Sequence, residues 1–325
     1  MRALIHNSFG EATEVLEIAE RPLPEPGPGQ VRVRTVLSPI HNHDLWTIRG
    51  TYGFKPELPA ASGTEAVGIV DALGEGVETL QVGQRVATGG TFGVWSEYFV
   101  AKAAALIPVP DAVSDETAAQ LISMPFSALS LLEFLDVKPG DWIVQNTANG
   151  AVGKLVAQFA AGRGVRVLGL VRRDAGIEEL AALGIRDIVS TESADWRERA
   201  AEILGDATPV AAVDSIAGES AGELLSLLGE GGTLVSFGAM GTGVLQLASS
   251  DLIFKQTTVK GFWGSRVSQT MDAAQRGRLF GELVQRIASG EVKVPVEAVF
   301  PFEEARAAAA ANATPGRAGK ILLRF

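Results

Sequence analysis

A short apolar strand, a glycine turn and the start of a helix follow one another in Trp142-Ile-Val-Gln-Asn-Thr-Ala-Asn-Gly-Ala-Val-Gly153. Glycine at 150 and 153 lets the backbone come close to a pyrophosphate, and the helix N-terminus offers N–H donors to an anion. The usual motif Gly-x-Gly-x-x-Gly lacks its first glycine here, because Ala148 stands in its place. Taken alone, the turn fits an ordinary strand-to-helix connection equally well, so the flanking elements decide between the two interpretations.

Strands and helices alternate along the chain after this turn. Beyond the strand 142–145, strands are predicted at 165–171, 185–189, 210–213 and 233–237, and helices at 154–161, 177–183, 221–228 and 278–289. This alternation is typical of a parallel, doubly wound sheet of the Rossmann type. In such a sheet the glycine turn binds phosphate, which favours a dinucleotide cofactor.

Two arginines, Arg172 and Arg173, follow the second strand of this sheet. An enzyme that binds the free 2′-hydroxyl of NAD would place Asp or Glu about 20 residues past the glycine turn, near this position. Two guanidinium groups instead suit a 2′-phosphate, because their planar donors match phosphate geometry. A single arginine here would more simply be a solvated charge, but the adjacent pair predicts NADPH as the cofactor.

The chain before this region is rich in strands. Val31-Arg-Val-Arg-Thr-Val36 alternates apolar and charged residues, as a half-buried strand does. The character changes near Ser114, a predicted helix cap, and the C-terminal stretch is again strand-rich around an alanine-rich helix at 303–311. We therefore predict an α/β protein with a β-rich domain of residues 1–113 and 291–325, and a nucleotide-binding domain of residues 114–290.

The composition excludes several kinds of site. The 325 residues include no cysteine, so there is no disulfide, thiolate nucleophile, iron–sulfur cluster or cysteine-based zinc site. The formal net charge of −10 disfavours nucleic acid and anionic membranes as partners. The N-terminus begins directly with a strand-like pattern, and no stretch has the continuous apolar character of a transmembrane helix. We expect a cytoplasmic protein.

Several motifs resemble those of the medium-chain dehydrogenase/reductase superfamily, and the resemblance extends over the whole chain. They are Gly63-Thr-Glu-Ala-Val-Gly-Ile-Val70, Val82-Gly-Gln-Arg-Val86, Gly93-Val-Trp-Ser-Glu-Tyr98, Ala182-Leu-Gly-Ile185 and Gly231-Gly-Thr-Leu-Val235. The resemblance implies a GroES-like β-rich catalytic domain and a Rossmann-type domain. It also implies a homodimer that forms through edge strands near 233–237 and 257–262.

Within this superfamily the chain is most similar to the trans-2-enoyl thioester reductase branch, known best from mitochondria. Three stretches resemble that branch more than they resemble generic quinone oxidoreductases: Arg49-Gly-Thr-Tyr-Gly-Phe-Lys-Pro-Glu-Leu-Pro59, Val144-Gln-Asn-Thr-Ala-Asn149, and Asp251-Leu-Ile-Phe-Lys255 with Gly261-Phe-Trp263. In the first of them, Tyr52 matches the proposed proton donor of those reductases. The resemblance therefore makes Tyr52 the candidate catalytic residue.

The other candidate residues belong to the cofactor and substrate sites. The candidate cofactor-binding residues are Asn146, Asn149, Gly150, Ala151, Val152, Gly153, Arg172, Arg173, Phe237, Gly238, Phe262 and Trp263. His43 and Trp263 are candidates for the substrate pocket. A tryptophan of the hydrophobic core would fit the sequence around Trp263 almost as well.

The metal ligands of the superfamily's zinc-dependent branch are absent. When the sequences are aligned on Asp44-Leu45, His41 falls at the first catalytic cysteine, and Thr64 replaces the zinc-binding histidine. The stretch His41-Asn-His-Asp44 also departs from the reductase branch, which usually has Asn-Pro-Ser/Ala-Asp there. His41, His43 and Glu65 could form an unusual metal site, but histidines in a loop near a cleft entrance are the simpler interpretation. We predict no bound metal.

The chemistry of double-bond reduction suits a tyrosine. Hydride added to the β-carbon of an α,β-unsaturated carbonyl compound leaves negative charge on the oxygen, and the α-carbon then needs a proton. A phenol, with a pKa of about 10, is protonated at neutral pH and can supply it. We expect NADPH-dependent reduction of an enoyl thioester of coenzyme A or acyl carrier protein. Two alternatives stay open: reduction of a small molecule such as a free enone, enal or quinone, and a redox-sensing NADPH-binding regulator without turnover.

Overall fold

A computed structural model describes all 325 residues of the chain. They form two compact units, one of Met1–Ser123 with Val294–Phe325 and the other of Met124–Lys293. The domain limits that the sequence suggests, 1–113 with 291–325 and 114–290, stay a prediction. None of the helices is both long enough and apolar enough to cross a membrane.

The chain forms strands and helices throughout its length. The strands are β1 (Arg2–His6), β2 (Leu16–Glu20), β3 (Gln30–Pro39), β4 (Ala60–Ala61), β5 (Glu65–Leu73), β6 (Arg85–Gly89), β7 (Tyr98–Lys102), β8 (Leu106–Pro108), β9 (Trp142–Gln145), β10 (Arg166–Val171), β11 (Ile188–Ser190), β12 (Ala211–Asp214), β13 (Thr233–Ser236), β14 (Thr258–Gly261), β15 (Val296–Pro301) and β16 (Lys320–Arg324). The α-helices are α1 (Ala12–Val15), α2 (Asn42–Arg49), α3 (Asp115–Ala118), α4 (Ser123–Leu135), α5 (Ala151–Gly162), α6 (Ala175–Ala181), α7 (Trp196–Leu204), α8 (Glu219–Leu227), α9 (Ser249–Phe254), α10 (Gly264–Thr270), α11 (Ala273–Ala288) and α12 (Ala305–Ala313).

The first unit is built on a seven-stranded sheet with β3 at its centre. Its strands lie in the order β15-β16-β3-β5-β6-β8, and β7 also pairs with β3. Val31 and Val33 of β3 are fully buried, as the alternation of apolar and charged residues predicts. A smaller sheet has the order β2-β1-β4. The prediction of a β-rich region in this part of the chain is confirmed.

The second unit contains a six-stranded parallel sheet. Its order is β11-β10-β9-β12-β13-β14, and every pair of neighbours runs parallel. Counted from β9, this is the order 3-2-1-4-5-6 of a dinucleotide-binding sheet. Helices α5 to α9 connect successive strands of the sheet. The predicted Rossmann-type doubly wound fold is therefore confirmed.

One expectation about the edges of this sheet is wrong. The resemblance implies edge strands near both 233–237 and 257–262, but β13 lies between β12 and β14. After α9 the chain adds β14 outside β13, so that β14 alone forms this edge and β13 becomes an inner strand. Only the second of the two expected segments can offer a free edge to another chain.

Several predicted boundaries shift by a few residues for local reasons. Helix α5 begins at Ala151 rather than at 154, because Gly150 already occupies the N-cap position. Strand β11 is limited to Ile188–Ser190 rather than 185–189, because Asp187 adopts a φ of 59° and turns the chain immediately before it. The prediction for Ser114 is confirmed, since its hydroxyl accepts a hydrogen bond from the Thr117 N–H and caps α3.

Candidate active site

The glycine turn lies at the carboxyl edge of the parallel sheet, between β9 and α5. The N–H of Ala148 donates to the carbonyl of Leu170 near the end of β10, at 3.1 Å. A Cβ atom at Gly153 would lie 2.6 Å from the carbonyl oxygen of Thr147 and 2.8 Å from that of Ala148. Any larger residue would therefore push the backbone apart, and glycine is required where α5 leaves the turn.

The first turn of α5 is open to an anion. The helix begins at Ala151 with no side-chain cap at Gly150 and no acidic residue in its first turn. The leading N–H groups of a helix have no partner within it, and the helix dipole is positive at this end. The backbone of residues 149–153 is therefore a candidate site for a pyrophosphate.

Asn146 ties the turn to the neighbouring strand. Its buried amide donates to Asp214 at 2.6 Å and to Ser220 at 3.0 Å, and its oxygen accepts from the N–H of Ser215 at 2.8 Å. Asp214 also accepts from the N–H of Ala217 and so orders the loop after β12. The structure gives Asn146 a positioning role, and a direct contact with a cofactor stays a prediction. Asp214 is not among the residues predicted from the sequence, although an acidic residue at the end of a buried strand is a usable signal.

Asn149 lies beside an ion pair that joins two helices. Its amide nitrogen is 3.4 Å from the carboxylate of Glu179 in α6, which also forms an ion pair with the buried ammonium group of Lys154 in α5. The pairing neutralises a charge that would otherwise be costly to bury. It also fixes the position of α5, and with it the position of the turn.

Arg172 and Arg173 follow β10 at the same edge of the sheet. Both are exposed, and neither guanidinium group forms a hydrogen bond or an ion pair within the chain. The backbone N–H of the turn residue Ala148 donates a hydrogen bond to Leu170, and Leu170 precedes Arg172 by only two positions. Two unpaired cations therefore lie close along the chain to the candidate phosphate turn, where an added phosphate group would meet them.

Residues after β13 and β14 extend the site along the sheet edge. The N–H groups of Phe237 and Gly238 both donate to the carbonyl of Asp214, at 2.7 and 3.2 Å. The rings of Phe237 and Phe262 stack with centroids 5.7 Å apart. Trp263 is 47% exposed, so its interpretation as a core tryptophan is wrong. The predicted cofactor residues of this unit thus collect at the ends of β9, β10, β13 and β14.

In the first unit, helix α2 positions both Tyr52 and His43. The helix ends at Gly50, which adopts a φ of 78°, and the N–H of Tyr52 then donates back to the carbonyl of Trp46 at 3.2 Å. The positive φ reverses the chain and returns the tyrosine towards the helix. The rings of Tyr52 and His43 have centroids 5.9 Å apart and are tilted by 31° to each other. The structure thus brings the candidate catalytic residue together with a candidate of the substrate pocket.

His43 also takes part in a short chain of hydrogen bonds. Its Nε2 lies 2.8 Å from the hydroxyl of Thr64, and that hydroxyl donates to a carboxylate oxygen of Asp44 at 2.7 Å. The other carboxylate oxygen of Asp44 accepts from the N–H of His41 at 2.9 Å. Thr64 therefore bridges two residues of α2 from the position where the zinc-dependent branch has a histidine.

His41 and Glu65 form a buried pair that replaces the suggested metal site. His41 Nε2 is 2.7 Å from Glu65 Oε2, while the other oxygen of Glu65 accepts from the N–H groups of Ile122 and Ser123. His41 is fully buried, so it is not a loop histidine at a cleft entrance. No group of three or more histidine, aspartate or glutamate side chains in the chain is arranged to hold a metal ion.

Burial sets the ionisation of this pair and of a nearby lysine. Desolvation raises the pKa of Glu65 to about 7 and holds the pKa of His41 well below its ordinary value. Lys320, whose ammonium group donates to the carbonyl of Ile40 at 3.1 Å, has its pKa lowered to about 8 by the same burial. Lys320 is not among the residues predicted from the sequence, because it is 255 positions from Glu65 and lies in no recognisable motif.

Glu65→Gln should change the pH dependence of stability. In the folded state the pKa of Glu65 is raised from 4.5 to about 7, so the stability that the protonated carboxyl contributes is present below pH 4.5 and is lost as pH rises towards 7. Glutamine keeps the shape without the charge. The parent loses this stability as the pH rises, and the variant does not. The free energy of unfolding of the variant minus that of the parent should therefore increase by about 3 kcal/mol from pH 4 to pH 8.

Urea unfolding at several values between pH 4 and pH 8 measures this difference. The matched control is Glu78→Gln. Glu78 lies in the same unit as Glu65, is exposed, and forms no hydrogen bond or ion pair through its carboxylate. The control should follow the parent at every pH. A constant offset between Glu65→Gln and the parent would contradict the assigned ionisation of the buried carboxyl group.

Comparison with known proteins identifies the family. The model of the alcohol dehydrogenase GroES-like domain matches residues 27–111, and the model of the zinc-binding dehydrogenase family matches residues 151–276. Human mitochondrial enoyl-[acyl-carrier-protein] reductase is 32% identical over 99% of this chain and 88% of its own length. This chain belongs to the medium-chain dehydrogenase/reductase superfamily. The resemblance found in the sequence is therefore confirmed.

Solved structures of other medium-chain dehydrogenases/reductases agree with the fold. The quinone oxidoreductase of Escherichia coli, solved in complex with NADPH, has a TM-score of 0.88 and 26% identity, and the match covers 100% of both chains. The quinone oxidoreductase of Pseudomonas syringae pv. tomato has a TM-score of 0.86 and 29% identity over 100% of this chain and 99% of that chain. The GroES-like and Rossmann-type folds predicted for the two parts of the chain are both supported.

Proposed function

We propose that this medium-chain dehydrogenase/reductase uses NADPH to reduce the carbon–carbon double bond of an α,β-unsaturated carbonyl compound, with a trans-2-enoyl thioester as its preferred substrate. The observation that carries the proposal is the position of Tyr52, a phenol held by α2 against His43. The similarity to human enoyl-[acyl-carrier-protein] reductase supports the same reaction. The acidic chain, with its net charge of −10, is not expected to bind nucleic acid or an anionic membrane.

The carboxyl edge of the parallel sheet fits NADPH. The uncapped first turn of α5 suits the pyrophosphate, and the unpaired Arg172 and Arg173 suit the 2′-phosphate. Farther along the edge, Phe237 and the half-exposed Trp263 offer apolar surface for the rest of the cofactor, and the buried Phe262 packs behind Phe237. When bound, NADPH supplies the hydride ion that the β-carbon of the substrate receives.

Tyr52 has two roles in the proposed reaction. Its hydroxyl donates a hydrogen bond to the carbonyl oxygen, on which negative charge develops as the β-carbon is reduced. Its proton then passes to the α-carbon, which completes the saturated product. His43 and Trp263 are proposed to contact the substrate, since His43 lies against Tyr52 and Trp263 is half exposed.

The second candidate function is reduction of quinones or of free enones and enals. It is favoured by the solved quinone oxidoreductases, which match this chain over its whole length. That reaction needs neither an acyl-chain pocket nor a surface for an acyl carrier. Solvent can protonate its product, so it makes no demand on Tyr52.

Turnover measurements separate the candidate functions. Steady-state oxidation of NADPH is followed with crotonyl-coenzyme A, with a longer trans-2-enoyl thioester, with a free enone and with a simple quinone. The proposal expects the highest kcat/KM with an enoyl thioester. A higher value with the quinone would favour the second function, and NADPH binding without turnover of any substrate would indicate a regulator.

We also propose that the reaction needs no metal. His41 Nε2 pairs with Glu65 at the place where the zinc-dependent branch binds its ion, and the chain has no cysteine. Extended treatment with a chelator such as EDTA should leave kcat within about twofold of the untreated enzyme, a difference below 0.5 kcal/mol. Loss of activity that one equivalent of zinc restores would contradict this.

We propose that the chain forms a homodimer through β14. This strand is the free edge of the parallel sheet, and Phe254, just before it, is 80% exposed. Unpaired edge strands beside exposed apolar side chains favour association with another strand. Light scattering measures the mass in solution, and a monomer at micromolar concentration would exclude the proposal.

We propose that the protein is cytoplasmic, as expected from its sequence. The names of the related enoyl-[acyl-carrier-protein] reductases include the word mitochondrial, which states the location of those proteins. Fractionation of cells that produce the chain at its natural level decides between the cytoplasm and the mitochondrion.

A further inference from the structure

His43, proposed above to contact the substrate, also occupies a position that suits proton transfer. It lies on α2, the same helix whose carbonyl at Trp46 holds the backbone of Tyr52. Its ring is partly exposed and lies 5.9 Å from the ring of Tyr52 between centroids. One short helix thus fixes an imidazole beside the candidate proton donor.

The hydrogen bonds around His43 determine which ring nitrogen carries its proton. A threonine hydroxyl has a single proton, and Thr64 gives that proton to Asp44. Towards His43 the same hydroxyl can therefore only accept, so His43 Nε2 must donate the bond of 2.8 Å. The neutral ring then has its lone pair on Nδ1. That nitrogen is the one able to take up and release a proton.

Acidic and basic side chains belong to the buried cluster beside His43. The buried Asp44 places its Oδ1 3.6 Å from His43 Nε2. The ring of His41 stacks on the ring of His43 with centroids 4.9 Å apart, and burial keeps the pKa of His41 well below its ordinary value. The stacked neighbour is therefore neutral and adds no repulsive charge. Lys320 is the remaining cation of this buried cluster.

We propose that His43 is the positioning residue that returns a proton to Tyr52 after each turnover, through Nδ1, directly or through one water molecule. This inference rests on the proposed function and deepens it. Thr64 and Asp44 serve the same step by holding the Nε2–H tautomer. Tyr52 remains the residue that gives its proton to the substrate, and in this step His43 acts through Tyr52.

The proposed steps balance in protons and charge. When the β-carbon has been reduced, the α-carbon of the enolate forms a C–H bond with the proton of Tyr52, whose O–H bond breaks to leave a phenolate ion. The Nδ1–H bond of the His43 imidazolium ion breaks, and its proton re-forms the phenol. Neutral His43 then takes a proton from solvent, which is accessible to this partly exposed ring.

Two substitutions of His43 separate a proton-transfer role from a packing role. In His43→Gln the side-chain amide can still donate to Thr64, but no group titrates. In His43→Ala a cavity remains that added imidazole can fill. We expect both variants to lower kcat for the best enoyl substrate about tenfold or more, towards the lower end of the range for acid–base groups, with little change in KM. Imidazole should restore turnover to His43→Ala, and it should restore nothing when Tyr52→Phe is also present.

The outcomes distinguish this inference from the proposed function. We call the return of a proton from His43 to Tyr52 the relay. If Tyr52→Phe lowers kcat strongly while the kcat of His43→Gln stays within about threefold of the parent, the relay is wrong and the role of Tyr52 stands. If Tyr52→Phe has no effect, both are wrong. In the double variant Tyr52→Phe/His43→Gln, the loss should be no greater than in Tyr52→Phe alone, because the two residues act in series. Losses that multiply would overturn the relay.

A second measurement needs no substrate. The chain has three histidines, so nitrogen-15 NMR of the imidazole groups can be assigned by substituting each in turn. We expect neutral His43 to be the Nε2–H tautomer, and we expect Thr64→Val to abolish that preference. Observation of the Nδ1–H tautomer in the parent would overturn the inference whether or not the enzyme's substrate is known.

Discussion

Tyr52→Phe is expected to lower kcat for an enoyl thioester by about 10²–10⁴-fold, the range of a general acid. Phenylalanine keeps the ring that contacts His43 and removes only the hydroxyl group. The backbone bond from Tyr52 to Trp46 is also kept, so the loop should hold its place. The loss should therefore appear in turnover, with NADPH affinity unchanged.

The second tyrosine of the chain provides the matched control. Tyr98 begins β7 in the same unit and lies opposite Arg34 of β3. Tyr98→Phe removes a hydroxyl from a strand residue with no proposed part in the reaction, and its kcat should stay within about twofold of the parent, a difference below 0.5 kcal/mol. Turnover numbers of the two variants, measured with saturating NADPH, make the comparison.

A small effect of Tyr52→Phe would change the proposed function. If its kcat stays within about threefold of the parent while NADPH still binds, the hydroxyl is not the proton donor. Protonation by solvent would then suffice, as expected for quinone reduction. The enoyl thioester proposal would lose its main support, because it depends on this tyrosine more than on any other residue.

Local patterns in the sequence were sufficient to predict the parallel sheet. A strand, a glycine turn and a helix are consecutive in the chain, so β9, the turn at Gly150 and α5 could be recognised together. The order of the strands could be inferred only by analogy, because it depends on which strand each helix returns to. That is why β13 was expected at an edge that β14 in fact forms.

The buried cluster of the first unit could not be predicted in the same way. His41 and Thr64 are visible in the sequence as departures from the zinc motif, but the hydrogen bond between His41 and Glu65 depends on tertiary structure, which brings the start of α2 to the start of β5. Lys320 comes from the last strand of the chain and joins them only in the folded unit. A sequence shows which ligands a metal site has lost, whereas the group that takes their place follows from tertiary packing.

The cofactor residues show a similar division. Gly153 is explained by local sterics, because a side chain there would meet the turn's own carbonyl groups. Asn146 lies in the same stretch, yet its amide is used by Asp214 and Ser215, which are nearly 70 positions away. The resemblance makes Asn146 a candidate cofactor residue, and the structure shows its side chain hydrogen-bonded to residues after β12.

Replacing both Arg172 and Arg173 with alanine is expected to weaken NADPH binding by roughly 100-fold and NADH binding very little. Each charge-assisted hydrogen bond to the 2′-phosphate contributes about 1.5–3 kcal/mol. Because both side chains are exposed, the lower value applies, which gives about 3 kcal/mol for the pair. NADH lacks the 2′-phosphate, so it has no group for these cations to bind.

Dissociation constants of NADPH and NADH, measured by calorimetry for the parent and the variant, give this result directly. Arg186→Ala is the matched control, because it removes an exposed and unpaired arginine of the same unit after α6. A double change to lysine keeps both charges but loses the planar donor pairs, so it should bind NADPH with intermediate strength. Equal weakening of NADPH and NADH would show that the two arginines do not recognise the phosphate. Cofactor preference would then have to come from another part of the sheet edge, such as the loop that Asp214 orders after β12.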